Sequence, residues 1–111
     1  MGEPNPSMLT EAMNRLWVQF LPQIDERVST LERAAAALAK GSLTPTQREE
    51  AASDAHKLAG VLGTFGLDQG TELAREAEQL YSGGSLSPFN SNGRPEELAA
   101  QLRGIVASRG Q

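Results

Sequence analysis

Cysteine is absent from this 111-residue chain, which excludes disulfide scaffolds, thiolate zinc sites, iron–sulfur ligation and thiol catalysis. Histidine occurs once, at His56, so no site that needs two imidazoles can be built. A basic excess is also missing: ten Lys and Arg face fourteen Asp and Glu, for a net charge of −4. Nucleic-acid binders gather positive charge on one face, so a nucleic-acid partner is not expected. No apolar run approaches the roughly eighteen residues of a spanning helix, so direct membrane insertion is not expected either. Met1-Gly2-Glu3-Pro4-Asn5-Pro6 carries an acid and no apolar segment follows it, unlike a secretory leader. These absences leave a small, acidic chain expected to be cytoplasmic.

What is present is helical periodicity, with 39% hydrophobic and 22% charged residues, a globular balance. A leader over residues 1–6 precedes Ser7, a candidate N-cap. From there Leu9, Met13, Leu16, Phe20, Ile24, Val28, Leu31, Ala35 and Leu38 form one stripe spaced by threes and fours. Pro22 has no N–H to donate, so this stretch is expected to kink or divide there. Gly41 sits where a C-terminal cap belongs. Thr44-Pro45-Thr46-Gln47 has the capping-box spacing with proline at the first helical position. Ala51, Ala55, Leu58, Leu62 and Phe65 follow as a second stripe, ending near Gly66. A third helix is expected from Asp68 as N-cap, with Leu73, Ala77 and Leu80 inward, stopping at Gly83-Gly84. Residues 83–93 are turn-forming throughout and read as a loop. Pro95 opens a last helix with Leu98, Leu102, Ile105 and Val106 facing inward. The whole chain, 1–111, is expected to be one all-α domain. Its architecture is an antiparallel four-helix bundle with an N-terminal helical extension kinked or broken near Pro22.

Chemistry is scarce in this pattern. Glycines 60, 63 and 66 match neither the phosphate-loop nor the dinucleotide spacing, and no strand precedes them. Glu49-Glu50 and Glu96-Glu97 are sequence neighbours that diverge by about 100° on a helix, as solvated surface does. His56 is the informative residue. At about 100° per residue its face is shared by Ala52, Ser53, Ala59, Gly60 and Gly63, while Leu58 points about 160° away. The imidazole therefore belongs to a surface patch of small residues. A glycine inside a helix costs about 1 kcal/mol relative to alanine, so two on one face call for a reason. One is close approach of another molecule to His56. The other is helix packing beside an idle surface histidine.

The segment His56-Lys57-Leu58-Ala59-Gly60, continuing into Leu62-Gly63-Thr64-Phe65-Gly66, resembles the signature of histidine-containing phosphotransfer (HPt) domains. Leu73-Ala74-Arg75-Glu76-Ala77-Glu78 resembles the helix that follows it in that family. Ala59 occupies the place where that family usually has lysine, and Val61 the place of a small polar residue.

The resemblance implies a phosphorelay intermediate of two-component signalling. Its His56 would accept a phosphoryl group from an aspartyl phosphate on a receiver domain and pass it to another receiver. The receivers would belong to a hybrid histidine kinase or a response regulator. It implies a carrier without turnover of its own, and no cofactor here, Mg²⁺ being expected on the receiver. Ser53, Lys57, Ala59, Gly60 and Gly63 would surround the docked partner, and Lys57 could reach the phosphoryl oxygens as a point charge. A Glu or Gln on the next helix often orients the imidazole in the family. Glu78, 22 residues downstream and off the apolar stripe, is the candidate, with a solvated pairing to Arg75 as the alternative. The rival function is a non-catalytic helical interaction or scaffolding module that binds through its glycine face.

Overall fold

The computed structural model describes residues 6–83 and 93–109. Residues 1–5 of the expected leader, and all but the two ends of the expected 83–93 loop, lie outside them. Among the described residues there are four helices: α1 (Pro6–Ala39), α2 (Pro45–Thr64), α3 (Asp68–Ser82) and α4 (Arg94–Arg109). Each packs on two neighbours, α1 on α2 and α4, α3 on α2 and α4, which closes a four-helix bundle.

The helix boundaries follow from capping chemistry. Thr44 Oγ1 accepts from the Gln47 N–H and Gln47 Oε1 accepts from the Thr44 N–H, completing the capping box at the start of α2. At Gly41 and Gly66 the backbone turns left-handed, with φ of 71° and 74°. The N–H groups beyond the turn bond back into the helix, from Ser42 to Ala37 O and from Leu67 to Leu62 O. That pattern satisfies carbonyls that would otherwise be orphaned. Two expected caps are displaced toward the N-terminus. α1 already includes Ser7, and α3 is capped by Leu67 without a side-chain bond, leaving Asp68 as the first helical residue. There its carboxylate still faces the positive end of the helix.

α1 is not divided at Pro22; the helix runs through it. Pro22 is exposed, so water can satisfy the Val18 carbonyl that loses its donor. Buried residues on both sides, Trp17 before and Ile24 and Val28 after, anchor the two halves in one core. The stripe read from periodicity is buried from Ile24 to Leu38; before it only Met13 packs against the core, partly buried. Leu9, Leu16 and Phe20 are exposed, and Trp17 is the residue buried in their place, at 2% exposure. Its ring meets Phe65 edge-on at 5.1 Å, and the Arg109 guanidinium lies 5.3 Å above it. The cause is the face that α1 turns inward: it runs through Met13, Trp17 and Ile24, and Leu16 and Phe20 flank Trp17 at about 100° and about 60° around the helix.

In α2 the expected stripe is buried throughout: Ala51, Ala55, Leu58, Leu62 and Phe65. In α3 Leu80 is only half-buried, and Ala74 and Tyr81 join Leu73 and Ala77 inside. Burial pushes the Tyr81 phenol up to about 12, so it stays neutral. α4 buries Leu98, Ala99, Leu102 and Val106, with Ile105 at the margin. It is pinned by two arginines. Arg94 makes a two-pronged contact with Glu76 at 2.5 and 2.7 Å, and Arg103 reaches Asp25, Ser29 and Glu32 on α1.

Candidate functional site

The site is built by the register of α2 against α3. Because Gly66 reverses the chain within a few residues, the two helices run back antiparallel. Thr71 Oγ1, one turn into α3, donates to the Ala59 carbonyl at 3.1 Å. Two turns further on, Glu78 arrives beside His56. Its Oε2 lies 3.0 Å from His56 Nδ1, and this contact, rather than one with Arg75, is the one Glu78 makes.

The imidazole is nonetheless open. Its side chain is 73% exposed, whereas Leu58 and Leu62, on the opposite side of α2, are fully buried. A carboxylate at Nδ1 selects the tautomer with the proton on that nitrogen. The lone pair then lies on Nε2, away from the carboxylate. The ring is held at one nitrogen and available at the other.

The small residues divide into two kinds. A Cβ on Gly60 would meet nothing within 4 Å, so the space one turn from His56 is empty and open to approach. A Cβ on Gly63 would lie 3.3 Å from Thr71 Oγ1, which makes Gly63 a contact between α2 and α3. Ala59 does not lie on the open patch as its position on the wheel suggested. It is 7% exposed, because α3 closes over it. Ser53 and Lys57 are both exposed on α2, but neither borders the recess beside His56.

That recess, about 300 Å³, is lined by His56, Ala59 and Gly60 from α2 and by Arg75, Glu78 and Gln79 from α3. Arg75 and Gln79 were not singled out as site residues in the sequence. The signal that finds them is the register: one turn along each helix from the His56–Glu78 pair, Arg75 faces Ala59. Among the described residues no group of three His, Cys, Asp or Glu side chains gathers as a metal site would require. None of the described helices is long and apolar enough to cross a membrane.

The Hpt domain family matches residues 15–108, most of the bundle. Protein RcaC of Microchaete diplosiphon is 37% identical over 71 residues, which is 64% of this chain and 11% of that protein. The chain thus corresponds to a small part of that curated relative. No solved structure matches.

Proposed function

Because the chain belongs to the Hpt domain family of two-component phosphotransfer modules, we propose that it carries a phosphoryl group on His56 between receiver domains. The observation that supports this most directly is the exposed imidazole whose Nδ1 is engaged by Glu78 while Nε2 faces open space. In the forward step the Nε2 lone pair attacks the phosphorus of a receiver's aspartyl phosphate. The P–O bond to the aspartate breaks, the electron pair leaves on that carboxylate, and an N–P bond forms. No proton has to leave Nε2, because the ring's proton is on Nδ1. The ring becomes formally cationic as the bond forms, and the Glu78 carboxylate at 3.0 Å offsets that charge. Reversal of the same steps delivers the group to a second receiver.

Most of the phosphoryl-transfer electrostatics would come from the receiver, whose Mg²⁺ neutralises the transferring oxygens. This chain contributes position and clearance. The capped α2 presents His56 rigidly, and Gly60 leaves the volume an incoming aspartyl phosphate needs. The partners are receivers of a hybrid histidine kinase or a response regulator, met in the cytoplasm, and the domain acts as a carrier without its own turnover.

Incubation with a phosphorylated receiver tests the reading. The wild type should take up acid-labile, alkali-stable label, and His56→Gln should take up none. Label that persists in His56→Gln would overturn it. Binding of a receiver with no transfer to the wild type would leave the interaction module in its place.

A further inference from the structure

We propose that Arg75 is the phosphoryl-binding cation of this site, reaching from α3 to the oxygens of a phosphoryl group on His56 Nε2. This rests on the phosphotransfer reading and deepens it. A phosphoryl group brings about two negative charges. On His56 they would stand beside the Glu78 carboxylate, in a protein whose net charge is already −4. A nearby cation is the remedy that electrostatics requires.

Arg75 is the one cation among the residues that line the recess with His56. Lys57 borders no part of it and leaves the helix about 100° around from His56. The other arginines near α3 are committed, Arg94 to Glu76 and Glu97, and Arg48 to the Tyr81 carbonyl. Arg75 has no ion-pair partner among the described residues, and Glu78, one turn along its own helix, is turned to His56 instead. The position across from Arg75 is Ala59, whose short side chain leaves the way to the recess unobstructed. A planar guanidinium pairs two phosphoryl oxygens at once, so it suits this role better than a point charge.

Phosphoramidate provides a test that needs no cognate receiver. Nε2 takes its phosphoryl group as ammonia leaves, and ³¹P NMR follows the phosphoryl signal against pH. With Arg75 in contact, the second phosphoryl ionisation is held low; in Arg75→Gln its midpoint should rise by about half a unit or more. Arg75→Lys should keep most of the wild-type value, a rescue that surface packing alone would not produce. The lifetime of the phosphorylated form at neutral pH should fall about fivefold in Arg75→Gln and stay near wild type in Arg75→Lys. A wild type that labels on His56, with an Arg75→Gln variant of identical midpoint and lifetime, overturns the role of Arg75 and leaves phosphotransfer intact. A wild type that takes no label overturns both.

Discussion

His56 Nδ1 and Glu78 Oε2 lie 3.0 Å apart across the α2–α3 seam, and this contact decides which ring nitrogen is left to react. In Glu78→Ala the Nδ1 proton loses its acceptor, and the ring can place its proton on either nitrogen. ¹⁵N NMR of the single imidazole should show the population protonated at Nε2 rising. Transfer should slow by about 10-fold or more, since an oriented imidazole depends on its partner. Glu78→Gln should restore much of the tautomer bias, because the amide oxygen still accepts from Nδ1–H. An unchanged tautomer ratio in Glu78→Ala would rule the orienting role out.

The two glycines of the site should respond differently to alanine. At Gly60 a Cβ enters empty space, so Gly60→Ala should stabilise the helix by up to about 1 kcal/mol. At Gly63 the same Cβ presses on Thr71 Oγ1 at 3.3 Å, and that hydroxyl is tied to the Ala59 carbonyl. Gly63→Ala should therefore gain less, or lose, in urea denaturation. Gly60→Gln is the functional counterpart: a helix intact by circular dichroism, with transfer blocked by a side chain in the volume beside His56. Undiminished transfer in Gly60→Gln would refute the steric role.

How far the chain could be read in advance depended on whether the signal was local. The Thr44–Gln47 capping box and the turn at Gly66 are set by neighbouring residues, and both appear where the spacing predicts. The exposure of His56 follows from its angle to Leu58 on one helix. Arg75 could be placed only after the register of α2 against α3 was known, because its nearness to His56 depends on how the two helices pack. The buried line of α1 failed for a related reason. The first half of α1 carries apolar residues on overlapping faces, and periodicity alone does not say that the neighbouring helices cover Trp17 rather than Leu16 and Phe20.

That failure has an energetic consequence. Trp17 is 2% exposed and packed on Phe65, so Trp17→Ala should cost about 3–5 kcal/mol in chemical denaturation. Leu16, beside it in sequence, is 41% exposed, and Leu16→Ala should stay within about 0.5 kcal/mol of wild type. Equal losses at the two positions would mean that the core follows the periodic stripe after all.

Acid should release the clamp that holds α4 to α3. The hydrogen bond from Arg94, opposed by burial and reinforced by the charge of Arg94, holds the Glu76 carboxyl below its ordinary value of 4.5. A carboxyl with a lowered folded value stabilises the fold fully above its unfolded value, and that contribution is lost as pH falls through the folded one. In Glu76→Gln the titrating group is gone. The variant should therefore melt below wild type at neutral pH, with the gap narrowing as pH is taken well below 4.5. Both side chains are about a third to a half exposed, at 35% and 45%, so added salt should shrink the neutral-pH gap by screening the pair. A gap constant from neutral to strongly acid pH would show that the Arg94–Glu76 contact contributes shape rather than charge.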